Sequence, residues 1–401
     1  MTTTWLSFLV CVLTIGIAGT LLTRYGDAIA DKTGLGGSWI GLVLLATVTS
    51  LPELAAGVSA VTIANVPNIA AGDVFGSCAY NLLLLVLLDF LLGQTPLYAH
   101  ARRGHILAAG FGIILLGFMG FNLVLAQNQL SWTFLHVGMY SPLVFLLYAV
   151  SIRTVFLYEK AQVAEFTEKE PDRYPERSVR SLAVRYAIAA GFVVAAGIWL
   201  PYVAADIAVQ MGWTQTFVGT MFAALVTSLP EMVVTVVAVR IGALDLAIGD
   251  LLGSNMFNIL ILAVDDVFYH RDGLLNAISS IHLTSAIAAM TMTGAAIVGL
   301  YFRSKRQLFN RLSWTSVFMV IAYVTNAWVL YVNDHPSLRH PPASMHARPG
   351  VQARGTVSPS LPGPAANAWP ACRNAISSTV AGAPALSLRR QRRARAVHRP
   401  P

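Results

Sequence analysis

Long apolar stretches separated by short polar ones set the pattern of this chain. Ten runs, each about as long as the ~20 residues a membrane-crossing helix needs, recur near 5–23, 36–62, 70–92, 105–126, 132–151, 182–201, 214–239, 246–268, 280–302 and 313–332. Their length and low charge predict an all-α polytopic membrane protein with ten transmembrane helices. The first run has neither a basic leader nor a small-residue cleavage site before Arg24, so it reads as a membrane helix rather than a signal peptide.

One pattern inside the apolar runs occurs twice. Residues 49–89 read TSLPELAAGVSAVTIANVPNIAAGDVFGSCAYNLLLLVLLD, and residues 227–266 read TSLPEMVVTVVAVRIGALDLAIGDLLGSNMFNILILAVDD. A one-residue gap in the connecting loop aligns them, and upstream Gly34 and Gly41 match Gly212 and Gly219 at equal distances from TSLPE. Five crossings separate the copies, and an odd number inverts one relative to the other. The prediction is two inverted-topology five-helix repeats, 1–152 and 182–334, joined by a cytoplasmic loop over 153–181. Such repeats build secondary transporters, with the ion site between the halves near the bilayer midplane.

Composition narrows the class. Apolar residues make up 56% of the chain and charged ones 11%, against roughly 25% charged in a soluble domain. The net charge of +8 belongs to the end of the chain: ten of the 27 Lys and Arg lie after His335 with no acidic residue among them, leaving 17 basic against 19 acidic before it. A nucleic-acid partner therefore has no basic surface in the membrane part. The segment 335–401, rich in Pro, Ala and Arg, reads as a disordered basic tail. Basic residues gather in 153–185, at Arg303, Lys305, Arg306 and Arg311, at Arg24 and Lys32, and at Arg102 and Arg103. By the positive-inside rule these connections face the cytoplasm, the N-terminus lies outside, and the location is a bacterial-type inner membrane. Cys11, Cys78 and Cys372 form neither a disulfide framework nor a zinc spacing.

The repeated motif carries the candidate chemistry. Glu53 and Glu231 sit mid-span, where an ionised side chain costs at least about 2.5 to 3.5 kcal/mol. No Lys or Arg lies near them in the same spans, which favours ion binding over a structural pair. Thr49 and Ser50 stand four and three residues before Glu53, on its helical face, and Thr227 and Ser228 repeat the arrangement. Pro52 and Pro230 break the helix there and free carbonyls around Val48 and Val226. In the following spans Asp73, Ser77 and Asn81, and again Asp250, Ser254 and Asn258, form stripes spaced by four. Asp73 follows Gly72 near a span entrance, a position that equally suits helix capping. Asp89, Asp265 and Asp266 fall toward span ends, the position of a solvated mouth. Oxygen donors without clustered His or Cys suit calcium or sodium rather than zinc or copper. Two carboxylates are neutralised by one divalent ion, two monovalent ions or two protons, which gives exchange an electrostatic basis.

At TSLPE with GSCAYN, and TSLPE with GSNMFN, the chain resembles the sodium/calcium exchanger membrane-region family of the cation/calcium exchanger superfamily. The resemblance implies ten helices in two inverted halves around a diamond of cation sites. It implies that Glu53 and Glu231 bind calcium and share sodium, with Thr49 and Thr227 adding oxygens to calcium. Ser50, Ser228, Ser77 and Ser254 would serve flanking sodium sites, near the carbonyls of Ala46 and Ala224. Helices one and six would slide across the core. Val48 and Val226 depart from the family's glycine, Asp73 and Asp250 from its common Asn, and Asn81 and Asn258 are both neutral where some members carry Asp. The reading is a cation antiporter exchanging calcium for sodium or protons, with no cofactor, its partners being inorganic cations and the lipid bilayer. The alternative is a sodium/proton or potassium-linked antiporter using the same glutamates. No nucleotide-binding GxxxxGK[ST] is present, and the missing mid-span His or Lys base argues against an enzyme.

Overall fold

The computed structural model describes residues 2–32, 45–93, 97–101, 104–163, 178–241, 244–303, 307–308 and 312–334. The expected span 36–62 is thus described from residue 45 onward. The middle of the 153–181 loop, Gly34, Gly41 and the tail 335–401 lie outside the described residues.

Helix α1 (Thr2–Lys32) is followed by α2 (45–49), α3 (Leu51–Thr62), α4 (Pro67–Leu92), the short α5 (Leu97–His100) and α6 (Gly104–Gln127). A small hairpin, β1 (Thr133–Phe134) with β2 (Val137–Gly138), leads into α7 (Tyr140–Val163) and α8 (Val179–Met211). Then come α9 (Gln215–Val218), a π-helical turn over Gly219–Ala223, α10 (Ala224–Thr227), α11 (Leu229–Ile241), α12 (Leu244–Phe268), the short α13 (Leu274–Ala277) and α14 (His282–Phe302). A second hairpin, β3 (Gln307–Leu308) with β4 (Leu312–Ser313), precedes α15 (Trp314–Asp334).

Local chemistry sets several of these ends. The Ser178 hydroxyl accepts the Ser181 amide at 3.3 Å to open α8, and Gly212, at φ 68, closes it in the left-handed conformation. Thr214 caps α9 by accepting the Phe217 amide at 3.2 Å. Pro67 begins α4, where a missing N–H costs nothing.

Among the described residues eight helices are long and apolar enough to cross a bilayer, and α9 to α11 makes a ninth if that stretch, bent by 43°, counts as one span. The bend falls on the second TSLPE. Pro230 is the second residue of α11 as Pro52 is of α3, and the serine before each helix has nearly the same backbone: φ −89, ψ 13 at Ser50 and φ −84, ψ 12 at Ser228. The same five residues thus break two helices in the same way, because the proline cannot donate to the carbonyl four back.

Helices α4 and α12 form the centre: 72% and 83% of their spanning residues are buried, against 22% for α15 and 28% for α1. The outer helices present apolar stripes, Leu6, Leu9, Leu13 and Ile17 on α1 and Phe318, Ile321 and Val324 on α15, at the spacing of one helical face, as lipid contact demands. Helix α1 packs along α8, α8 on α3, and α14 against α6, α15 and α4.

The two sides of this helical layer are separated by their polar contacts. On side one, where the chain begins, Gln210 donates to Thr4 at 2.6 Å, the Ser279 amide to Asn68 at 2.7 Å, and the Gly273 amide to the His136 carbonyl at 3.1 Å. On side two, His105 meets Asp245 at 2.9 Å and Arg303 donates to the Ala101 carbonyl at 2.8 Å. Helix α4 runs from side one to side two, and α12 runs back.

Two glycines let α1 and α8 lie on the broken helices. A Cβ at Gly19 would come 2.6 Å from Cγ of Pro230, and one at Gly197 would come 2.7 Å from Cβ of Ala55 and 3.2 Å from the Pro52 carbonyl oxygen. Gly19 and Gly197 are separated by the same sequence offset as Thr49 and Thr227. Each outer helix therefore rests a bare backbone on the proline break of the other copy. Gly19→Ala and Gly197→Ala are each expected to cost about 1 to 3 kcal/mol of stability through overpacking, read as a lower unfolding midpoint in detergent. Gly110→Ala, at a position open around the Cβ, is the matched control.

Candidate cation site

The two breaks meet in the middle of the layer. Ser50, at the head of α3, donates to Oε1 of Glu231 at 3.3 Å, and Ser228, at the head of α11, donates to Oε1 of Glu53 at 3.2 Å. The threonines cross in the same way: Thr227 donates to Oδ1 of Asp73 on α4 at 2.8 Å, and Thr49 to Oδ1 of Asp250 on α12 at 3.3 Å. Ser77 approaches Oε1 of Glu53 at 3.4 Å and Thr227 at 3.4 Å, and Ser254 approaches Thr49 at 3.4 Å. Each copy thus sends the serine and threonine of its TSLPE to the other copy's carboxylates, while Ser77 approaches Glu53 within its own copy.

All four carboxylates are fully buried, and each leaves one oxygen without a hydrogen-bond partner: Glu53 Oε2, Glu231 Oε2, Asp73 Oδ2 and Asp250 Oδ2. None has a Lys or Arg partner among the described residues. Their negative charge has no protein counter-charge, which a buried carboxylate does not tolerate without a proton or a cation. Among the described residues no three Asp, Glu, His or Cys side chains form a metal cage by themselves. A cation here would draw on hydroxyl, amide and carbonyl oxygens as well, which suits hard ions taking six to eight oxygens.

The other predicted donors lie close by, with different degrees of freedom. Ala46 and Ala224 each offer a carbonyl that already accepts the serine amide four residues on, at 3.1 Å, and that lies 3.2 and 3.3 Å from the Thr49 and Thr227 hydroxyls, competing with the facing aspartates for their single hydrogens. Asn258 is buried with neither amide atom bonded. Asn81 donates to Oδ1 of Asn255 at 3.1 Å and keeps its own carbonyl oxygen free.

Asn255 itself escapes sequence reading because its aligned partner is Cys78. The two stand face to face: the Asn255 amide donates to the Cys78 carbonyl at 3.1 Å, and the Cys78 thiol points at the Asn255 carbonyl at 3.7 Å. A buried Asn whose aligned partner is Cys is the only trace of this in the chain.

Two readings from the sequence need correction. Asp73 is no helix cap, since α4 starts six residues earlier at Pro67 and the carboxylate reaches across to Thr227 instead. Asp89, Asp265 and Asp266 do not line solvated mouths, for all three are fully buried. Asp89 accepts from the Leu97 amide at 3.1 Å and from the Ser313 amide and Ser316 hydroxyl at 2.7 Å each, anchoring the start of α15. Asp266, its aligned partner, accepts from the Gly138 amide at 2.8 Å, Tyr140 at 2.6 Å, Ser141 at 2.5 Å and the Leu274 amide at 2.7 Å, anchoring the start of α7. Loops that fold back over the helix ends bury these carboxylates, an arrangement invisible in a linear pattern.

A family model described as sodium/calcium exchanger protein matches residues 3–157 and 181–332. The chain belongs to that family. Among curated relatives, the sodium/calcium exchanger MaX1 of Methanosarcina acetivorans is 27% identical over 337 residues, covering 77% of this chain and 93% of that protein. The inner membrane protein YrbG of Escherichia coli is 26% identical over 250 residues, covering 58% of this chain and 73% of that protein. Among solved structures, one described as the H+/Ca2+ exchanger CAX shares the fold at a TM-score of 0.59 and 13% identity, over 84% of this chain and 87% of the other. The chain is therefore a polytopic helical membrane protein of a cation/calcium antiporter family.

The saturated carboxylates and the half-free ones separate in experiment. Asp266→Ala leaves four buried donors without an acceptor and is expected to cost at least about 3 kcal/mol of stability. Calcium affinity per folded molecule should stay at the wild-type value, measured by unfolding in detergent and calcium titration of the same sample.

Proposed function

We propose that the chain exchanges calcium for sodium or protons by alternating access, at a site built from both TSLPE copies. The observation that carries the reading is the cluster of four buried carboxylates, each with one unpartnered oxygen, tied to hydroxyls from the opposite copy. Glu53 and Glu231 bind calcium together with Thr49 and Thr227. Ser50, Ser228, Ser77 and Ser254, with Asn81, Asn258 and the carbonyls of Ala46 and Ala224, serve the flanking monovalent positions. Asp73 and Asp250 orient the threonine hydroxyls and add negative charge.

The mechanism follows from electrostatics. The empty site repels itself, so an exchange that always leaves the carboxylates neutralised passes through no exposed buried charge. One divalent ion, or two monovalent ones, meets that condition for the glutamate pair, and the ions compete for the same oxygens. The protein is read as a transporter and not as an enzyme, in keeping with the exchanger family to which it belongs. Ten crossings in two inverted five-helix repeats, 1–152 and 182–334, put the breaks head to head, and the paired bends at Ser50 and Ser228 support that arrangement. The N-terminus faces outward across an inner membrane, with the basic connections, including Arg24, Arg185 and Arg303, on the cytoplasmic side two. Helices α1 and α8, resting on the proline breaks through Gly19 and Gly197, move across this core. The name of the Methanosarcina relative favours sodium as the counter-ion, and that of the structural neighbour, an H+/Ca2+ exchanger, keeps protons as the other candidate.

Calcium binding by titration tests the site. Glu53→Gln and Glu231→Gln are each expected to weaken calcium at least about tenfold, or 1.4 kcal/mol, and unchanged affinity in both sinks the assignment. Calcium flux in proteoliposomes tests coupling: an imposed sodium or pH gradient should drive it, and flux indifferent to both means no exchange.

A further inference from the structure

One more carboxyl group is buried with nothing to pair it. Asp265, near the end of α12, has no solvent exposure, and neither of its oxygens has a hydrogen-bond partner. It lies against bare backbone of α3: a Cβ at Gly57 would come 2.7 Å from its Oδ1 and 2.8 Å from its Cγ. Gly57 stands four residues after Glu53, on the same face of α3, about one turn or ~5–6 Å closer to side one. The charged groups that act on Asp265 among the described residues are Asp73 from α4 and the adjacent Asp266, both acidic. Tyr140 of α7 is held by Asp266, and His136, before α7, reaches the Val267 carbonyl at 3.1 Å rather than Asp265. Among the described residues no base is paired with the group.

The aligned position in the first copy is Leu88, so the repeated scaffold does not need a carboxyl here. A buried carboxylate with neither counter-charge nor hydrogen bond is strongly disfavoured, and the neighbouring acids make it worse. A metal ion would need several oxygens around it, yet among the described residues no three Asp, Glu, His or Cys side chains gather into a metal site at Asp265. A proton needs only one.

We propose that Asp265 is a proton-binding site, separate from the cross-tied carboxylates, which holds a proton while the cation site is empty and releases it when a divalent cation arrives. The proposal rests on the reading of the cluster as a cation site. On release the O–H bond breaks, its electron pair stays on the Asp265 carboxylate, and the proton passes to water on side one. The incoming ion's two positive charges, about a helical turn away, offset the new negative charge. Calcium entry is thereby linked to proton loss beyond whatever the glutamate pair contributes.

The experiment adds calcium to the purified full chain in weakly buffered detergent solution, with a pH indicator, and counts protons released per calcium bound. Asp265→Asn, which keeps the shape and removes the titrating oxygen, is expected to release one proton fewer per calcium while binding calcium within about threefold of wild type. Asp265→Glu should restore the release. Equal release from wild type and Asp265→Asn overturns the proposal, as does a loss of calcium affinity as severe as that of Glu53→Gln, which would make Asp265 a metal ligand. If Asp265→Asn does not fold, the calcium-induced infrared difference spectra of wild type and Asp265→Glu decide: a protonated-carboxyl band that moves between them supports the site, and an identical band overturns it. Because these readouts need no gradient, absent flux in proteoliposomes would count against exchange without touching the proton site.

Discussion

Negative charge without a counter-charge, held inside an apolar layer, is the constraint around which this protein is arranged. Glu53, Asp73, Glu231 and Asp250 are all shut away from solvent, and hydroxyls supply only half of what their oxygens need. A hydroxyl stabilises a carboxylate by orientation, not by neutralising it. Such a cluster is tolerable only with a proton or cation in it. The backbone responds to the same demand. Breaking a helix at Ser50 and Ser228 aims a hydroxyl across the seam at the opposite glutamate, a contact an uninterrupted helix would not offer.

The packing preserves those breaks instead of smoothing them. Gly219 in the π-helical turn lies so close to α4 that a Cβ would stand 2.7 Å from the Ile69 carbonyl oxygen, and Gly72 and Gly76 of α4 approach Gly219, Thr220 and Ala224 just as tightly. Small residues replace side-chain packing with backbone contact, which in a bilayer is a main source of helix association. The gap left by a missing side chain is thus filled by another helix. On the outside, α1 and α8 use the same device at Gly19 and Gly197, laid on prolines that already lack a ladder bond. The outer helices thus meet the broken ones through close backbone contact at these two positions.

Buried carboxylates in this chain fall into three physical situations. Asp89 and Asp266 are saturated by amides and hydroxyls, and they tie loops to the starts of α15 and α7. The four central acids are half satisfied, with one oxygen each left over. Asp265 has no hydrogen-bond partner among the described residues. Saturation by fixed dipoles makes a rigid anchor, and its absence leaves a carboxyl group whose charged form has nothing in the fold to stabilise it. Residue type alone does not tell these apart, since every member is an Asp or Glu inside an apolar run.

The linear chain was enough for the class, the helical spans over most of the layer, the family and the doubling of TSLPE, because each depends on periodicity or on residues adjacent in sequence. Proline inside an apolar run located both breaks without coordinates. The sequence also grouped Thr49, Ser50 and Glu53 on one helical face, since spacing by three and four is a local property. What it did not contain was partnership across the seam: that Ser50 serves Glu231 and Thr227 serves Asp73, or that Asn255 faces Cys78. It likewise misplaced Asp89, Asp265 and Asp266, whose distance from a span's end in residues says nothing about the loops and helices packed over them. Burial and hydrogen-bond satisfaction depend on residues distant in sequence, so only the tertiary structure decided which acids are anchors, which face one another, and which is left alone.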